Sequence, residues 1–406
     1  MATFDPRRFA EILRIPGAAA FTSAGFLGRI ALSAATLAMT LVIVDRTGSY
    51  GIAGMVVAVF VISRAASGPI LGRLADRHGQ FTVMLTASMG QVVMLIVLTF
   101  ALFLDWSIPV VMIIAVIAGF GSGAPPALVR ARWAALVGKN PTQLSTAFAW
   151  ESLVESTAFT IAPLIVVMLV NSFTPLTGLI FVIAVVLVAG LTLYLQKSTQ
   201  PPVHLTSAGT APPVGGRTIG LVLTCAVYYF AVSFAMGSFD IIAVQQGRLS
   251  EIPNFTGILL AFFSLGTLIG AILYGSLQWK WTPHQRMWGI VPLFALATLL
   301  VPLLGGGIPL MFSGMFIGLL FSATLTSTNL TVQSVAPKGR LTELLAYMTA
   351  GFGGGVALGN YLAGLAVDHG GFAAASYVVT GAGALALVAL VIDLTFFRKP
   401  IPAPAG

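Results

Sequence analysis

Apolar runs of about 20 residues recur from one end of this chain to the other, each long enough to cross the hydrocarbon core of a bilayer. Twelve stand out, at 18–43, 51–71, 82–104, 108–129, 144–169, 177–195, 218–244, 256–278, 287–304, 308–332, 342–366 and 372–396. Hydrocarbon offers no water to a backbone N–H or C=O, so a spanning segment must satisfy those groups internally, as a helix does. Of the 406 residues, 57% are hydrophobic and 8% charged, against about 25% charged in an average soluble domain. The expected fold class is an all-α membrane protein with twelve transmembrane helices.

The first seventeen residues carry Asp5, Arg7, Arg8, Glu11 and Arg14. They read as a cytoplasmic lead (1–17) rather than a cleaved signal peptide, because the first span is too long and others follow. Cys225, alone within a span, permits no disulfide inside the chain and reads as a small apolar packer. The net charge of +8 has a topological origin rather than pointing to nucleic acid. With the N-terminus inside, sixteen of the 20 Lys and Arg fall on the cytoplasmic side, Arg46 and Arg248 fall outside, and Arg29 and Arg64 fall within spans. That asymmetry is what the positive-inside rule expects, and it places both termini in the cytoplasm.

Residues 197–217 interrupt the apolar pattern with Pro201, Pro202, Pro212 and Pro213 among glycines and hydroxyl residues. They read as a cytoplasmic linker between halves 18–196 and 218–396, with 397–406 as a tail. The halves repeat weakly. At a shift of about 203 residues, Gly54, Ala58, Phe60, Gly72 and Leu74 fall on Gly257, Ala261, Phe263, Gly275 and Leu277, and Thr146-Ala147 falls on Thr349-Ala350.

Between the second and third spans, residues 72–80 read Gly-Arg-Leu-Ala-Asp-Arg-His-Gly-Gln. This short charged loop resembles the signature G-x-L-A-D-R-x-G-(R/K)-(R/K) of the major facilitator superfamily, matching at Gly72, Leu74, Ala75, Asp76, Arg77 and Gly79. Gln80 and Phe81 stand where the family has its basic pair. The resemblance implies two pseudo-symmetric six-helix halves, the major facilitator fold, and a carrier that rocks them around a midplane site. It also implies a conformational latch formed by Gly72, Arg73, Asp76, Arg77 and Gly79, with Arg340 as a possible partner of Asp76. The second-half counterpart, residues 276–281, lacks the Asp-Arg pair.

Ionisable groups at membrane depth are costly and so are functional candidates. Arg29 lies in the middle of helix 1, and Arg64 lies nearer the cytoplasmic end of helix 2. Glu151 and Glu155 lie four residues apart on one face of helix 5, and Asp240 lies near the outer end of helix 7. Two carboxylates on one face in low dielectric resist ionising together, while a nearby arginine favours ionisation. Glu155, the deeper of the two by this reading, is the expected proton-coupling acid, with Glu151 beside it and Arg29 as counter-ion. A static ion pair is the alternative. Asp240 reads either as a substrate or proton group or as a solvated helix end.

Polar stripes at helical spacing occur in helix 1 (Thr22, Arg29, Ser33, Thr36 and Thr40, with Phe26), helix 7 (Tyr229, Ser233, Met236 and Asp240) and helix 10 (Ser322, Thr326, Asn329 and Gln333). Such a stripe faces protein or a water-filled cavity, and in the family these helices line the central path. Hydrogen bonding between helices is the alternative. Helix 4 carries Gly119, Gly121, Ser122, Gly123, Pro125 and Pro126, a kinked stretch. Helix 11 carries Gly351, Gly355 and Gly359, spaced for a close helix contact, moving or static.

No nucleotide-binding loop is present, and His78, His204, His284 and His369 form no metal-ligand pattern. The chain therefore reads as a non-enzymatic carrier without cofactors. The resemblance to the drug- and metabolite-efflux branch implies proton-coupled export of a small, partly apolar molecule from a bacterial-type inner membrane. Ala162-Pro163 stands where family antiporters often carry a glycine-proline motif, which weakens antiport. A proton symporter importing a sugar or organic acid is the alternative. The expected partners are substrate, protons and the lipid bilayer, with no nucleic acid, and a monomer is expected.

Overall fold

The computed structural model describes residues 6–123, 125–138, 140–200, 215–277, 279–337 and 340–397. Their regular structure is helical. In chain order the elements are α1 (Pro6–Leu13), α2 (Ala18–Thr47), α3 (Tyr50–His78), α4 (Gln80–Phe103), α5 (Ile108–Gly121), α6 (Pro125–Val137), α7 (Pro141–Ser172) and α8 (Pro175–Leu195). There follow α9 (Gly216–Leu249), α10 (Phe255–Ser276), α11 (Pro283–Leu304), α12 (Ile308–Val335) and α13 (Leu341–Phe396).

Among the described residues, eleven stretches are long and apolar enough to cross a membrane. The last of these covers 53 residues, Leu344–Phe396, which as one straight helix would be about 80 Å long, more than twice a bilayer core. Gly371 resolves the excess: its φ of 61° and ψ of −150° are open to glycine alone, so α13 is two limbs joined by a break. The fold is that of twelve membrane helices. Helix 4 is interrupted as its glycines and prolines suggest, α5 ending at Gly121 and α6 starting at Pro125.

One expectation changes. Residues 72–78 are not a loop but the last turns of α3, and only Gly79 stands between α3 and α4. Its φ of 87° lets the chain leave one helix and enter the next within a single residue. Local helix propensity through Leu74-Ala75 therefore carries the signature segment as helix.

The chain forms two compact units. One holds residues 1–42 and 66–206, and the other holds 43–65 and 207–406. In the first, α4 packs on α5 and α8, and α7 packs on α6, α8 and α1. Ile12 of α1 is buried with Phe21, Trp133 and Tyr194, Phe9 lies 5.7 Å from the Trp150 ring, and Phe21 meets Trp133 edge-on at 4.9 Å. Arg132, wholly buried, donates to Gln80 Oε1 (3.0 Å), the Gln196 carbonyl (3.2 Å) and Thr199 Oγ1 (3.1 Å).

In the second unit, glycines set the helix contacts. A Cβ at Gly266, Gly270 or Gly318 would overlap a backbone carbonyl across the α10–α12 seam, and one at Gly351, Gly355 or Gly359 would overlap a carbonyl of α9. The helix 11 glycines are thus a tight packing face against α9. Without a hydrophobic drive between helices in lipid, close backbone approach is what supplies packing energy. Outward faces carry Phe100, Ile113, Ile272 and Val391, each at least 59% exposed, which suits lipid rather than water.

This seam gives a paired test. Gly266→Ala should lower the melting temperature of the purified protein, because overpacking costs about 1–3 kcal/mol. Gly275→Ala, on the same helix with nothing within 4 Å, should leave it unchanged or raise it, because alanine favours helix by about 0.5–1 kcal/mol. Equal effects at both sites would remove the seam as the cause.

Candidate functional site: a buried ion-pair cluster

Arg29 of α2 and Glu151 of α7 meet inside the first unit. Both side chains are wholly buried, and Arg29 Nη2 lies 2.6 Å from Glu151 Oε2. The other oxygen, Oε1, accepts the indole N–H of Trp133 on α6 at 2.8 Å. One helical turn along α7, Glu155 Oε2 accepts from Arg130 Nη2 at 2.9 Å and stands 3.8 Å from Arg29 Nε. The cluster holds two guanidiniums and two carboxylates, so it is neutral when all are ionised. Its charges are compensated side by side, the condition under which buried ions are tolerated.

The two acids differ in how far the protein encloses them. Glu151 is the enclosed acid and the short-range partner of Arg29, whereas the Glu155 side chain is 36% exposed. The reason is solvation of the second oxygen. Trp133 supplies Glu151 with a buried donor, while Glu155 lies beside Arg130, itself 44% exposed. Arg29 also keeps unspent capacity, since its Nε and Nη1 are buried without a hydrogen-bond partner. A guanidinium with two idle nitrogens is a ready donor to a further anionic or carbonyl oxygen.

The remaining expected residues fall into two groups. On α2, Ser33 and Thr36 are half-buried and Thr40 bonds back to the Thr36 carbonyl at 2.9 Å. Thr22 is buried with its hydroxyl unpartnered. In the second unit Met236, Asp240, Ser322, Thr326 and Asn329 are half-buried and Gln333 is exposed. Asp240 makes no hydrogen bond or ion pair among the described residues. The Tyr229 hydroxyl lies 3.5 Å from the Leu325 carbonyl, which joins the α9 and α12 stripes. Ser233 departs from the cavity expectation: it is wholly buried, bonds back to the Tyr229 carbonyl at 2.7 Å and packs against Gly355. Arg64 is half-buried with its guanidinium 5.9 Å from the Phe60 ring. Of the signature group, Gly72, Arg73, Gly79 and Arg340 are described, while the side chains of Asp76 and Arg77 lie outside the described residues.

Sequence reading missed a second buried acid. Asp393, on the later limb of α13, is wholly buried. His284 Nε2 lies 2.6 Å from its Oδ1, and Oδ2 accepts from Tyr228 at 3.2 Å and Trp288 at 3.3 Å. Helices α9, α11 and α13 are thereby joined at one carboxylate. The signal was present as an acid inside the apolar run Val391-Ile392-Asp393-Leu394. Also unforeseen is Arg286, which donates to the Tyr274 hydroxyl at 2.6 Å and stacks over Tyr274 and Trp279, a cation–π clamp. Among the described residues no group of three His, Cys, Asp or Glu is placed to hold a metal ion.

Comparison with known proteins bears on the whole chain. Among curated proteins nothing matches it in sequence. The fold is shared with an auto-inhibited POT family peptide transporter (TM-score 0.74, 13% identity, 96% of this chain and 98% of that one). It is shared also with the nucleoside transporter NupG (0.73, 12%, 94% and 99%). A third likeness is to a bacterial homologue of the iron transporter ferroportin in an inward-facing state (0.70, 14%, 94% and 98%). At such identities the likeness is one of fold. Residues 21–328 and 221–406 match the sequence pattern of the Major Facilitator Superfamily. Between them these matches run from the first span to the C-terminus, and together with the helix count, the signature segment and the shared fold they make this protein a membrane transporter of the Major Facilitator Superfamily.

Proposed function

We propose that the protein is a secondary active transporter that exports a small, partly apolar molecule in exchange for protons by alternating access. The observation that carries this reading is the enclosed Arg29–Glu151 pair with Glu155 and Arg130 beside it. Protonating either carboxylate removes the compensation of an arginine in low dielectric, so proton uptake changes which groups the cluster can bind. Glu151, Glu155 and Arg29 would couple protons, with Asp240 as a second acid. Substrate would meet Thr22, Ser33, Thr36, Tyr229, Met236, Ser322, Thr326, Asn329 and Gln333. The signature residues Gly72, Arg73, Asp76, Arg77 and Gly79, with Arg340, would act as the latch. The skewed distribution of Lys and Arg supports a plasma (inner) membrane protein with both termini in the cytoplasm, its halves 18–196 and 218–396 joined by 197–217. A monomer suffices for this cycle.

A second reading is proton-coupled import of an organic acid or sugar. It is favoured by the idle Nε and Nη1 of Arg29, which suit a carboxylate on the substrate.

Energised inside-out vesicles with a pH dye separate the two. For export, adding a substrate should collapse the pH gradient in wild type, and Glu151→Gln and Glu155→Gln should abolish that response. A response retained in both variants would make the acids structural. For import, uptake of an anionic compound into right-side-out vesicles should acidify their interior.

The pair also has a stability signature. Arg29→Leu or Glu151→Leu alone should destabilise the protein by about 3–5 kcal/mol, because each leaves a buried charge uncompensated. The double replacement should recover most of that loss in a thermal melt. Additive losses would show that the two charges are not coupled.

A further inference from the structure

We propose that Asp368 is the closing element of a gate: its carboxylate grips the start of α3 against α13, and the transport cycle breaks and remakes that grip. The inference rests on the transport reading and adds a device to it. Asp368 Oδ2 accepts from Ser49 Oγ at 2.6 Å and from the Gly51 N–H at 2.8 Å, and Oδ1 accepts from the Tyr50 N–H at 2.8 Å. Tyr50 begins α3, so these are backbone donors that a helix start leaves without intrahelical partners. A carboxylate there also meets the positive end of the helix dipole. Such a cap ordinarily comes from the residue just before the helix, and Ser49 does accept the Ile52 N–H at 3.1 Å; the Tyr50 and Gly51 N–H groups are capped from α13, more than 300 positions away.

The rest of the contact is unusual for a permanent seam. Gly51, Gly54, Ala58, Val61 and Ala65 lie at alternating steps of three and four, one face of α3. A Cβ at Gly54 would overlap the Asn360 carbonyl, one at Gly364 would overlap the Tyr50 carbonyl, and one at Gly353 would lie 2.6 Å from Ala65 Cβ. Two backbones touch here with little interlocking of side chains, so the surfaces can part without repacking. Asp368 is exposed and lines an open cavity of about 520 Å³ with Thr47, Ser49, Tyr50 and Gln245. Water can therefore replace each of its hydrogen bonds, which keeps the net cost of release small.

Chain connectivity supplies the mechanical reason. Segment 43–65 packs in the second unit, yet the residues on both sides of it, 1–42 and 66–206, form the first. If the units move in transport, this segment must follow one of them; the Asp368 cap is a polar contact that holds it to α13, and Asp45 adds an ion pair at 3.9 Å to Arg248 of α9. In the proposed topology this is the non-cytoplasmic end.

The test uses Ala58→Cys as reporter in a Cys225→Ala background, since Ala58 is 9% exposed and Cys225 is the only native cysteine. A membrane-impermeant maleimide is added to right-side-out vesicles without substrate. Asp368→Ala should speed labelling about five- to thirtyfold, the range expected for loss of a helix cap. Asp368→Asn, which keeps the shape and one acceptor, should fall between wild type and Asp368→Ala. A parallel reporter, Ala382→Cys, buried in the later limb of α13, should stay unlabelled throughout. Unchanged labelling at position 58 would overturn the proposal, and so would an equal rise at position 382, which would mean general loosening. Labelling needs no substrate, so the gate can fail while flux is intact, and the transport reading can fail with the gate unharmed.

Discussion

A backbone in hydrocarbon has to satisfy its own hydrogen bonds, and the rest of this structure follows from that. It makes every span a helix and confines departures from helix to span ends, to the break between α5 and α6, and to Gly371. It also changes what holds helices together. Lipid is as apolar as leucine, so burying a leucine between helices gains little, and contact depends on close approach and on polar groups. The glycine faces of α10, α12 and α13 provide the first. The enclosed carboxylates of Glu151 and Asp393 provide the second, each joining three helices through nitrogen donors or hydroxyls.

Those two acids are solved differently. Glu151 faces a permanent cation, Arg29, and the pair is neutral without any proton. Asp393 faces His284, Tyr228 and Trp288, of which only the histidine can carry a positive charge. Charge balance at Glu151 is thus built in, and moving a proton there exposes an arginine. Arg29 is suited to that exposure because two of its nitrogens are already without hydrogen-bond partners. A site with donors in excess of acceptors has a reason to recruit an oxygen from outside the protein.

The sequence made much of the fold legible and less of the site. Span number and order follow from hydropathy, because the bilayer sets one length that every run has to meet. The break in helix 4 was legible because Gly123 and Pro125 each disfavour continued helix. The signature segment misled, since its charges and glycines read as a loop although α3 runs to His78. At the site, the spacing of Glu151 and Glu155 gave their common face and Arg29 gave the opposite charge. What spacing along one helix cannot give is a neighbour's contribution: Trp133 on α6 donates to the enclosed Glu151, while Glu155 pairs with the half-exposed Arg130. Ser233 was misread for the same reason, because its α13 neighbour is a glycine that brings the backbone up against it. The enclosure of Asp393 comes from Tyr228 and Trp288 on other helices, which no spacing along its own span shows.

The connection between fold and function lies in the helices that belong to both units. α2 leaves the first unit after Val42, and α3 re-enters it after Ala65. Within α3, Pro69 stands four residues past that boundary. It removes the hydrogen bond to the residue 65 carbonyl and loosens the helix where the change of allegiance occurs. Under the proposed gate, a helix anchored at one end by the Asp368 cap, softened by Pro69, and ending in the signature segment would carry a mechanical load along its length. The two motifs that sequence and structure single out on α3 therefore sit at its opposite ends, with the weakest part of the helix between them.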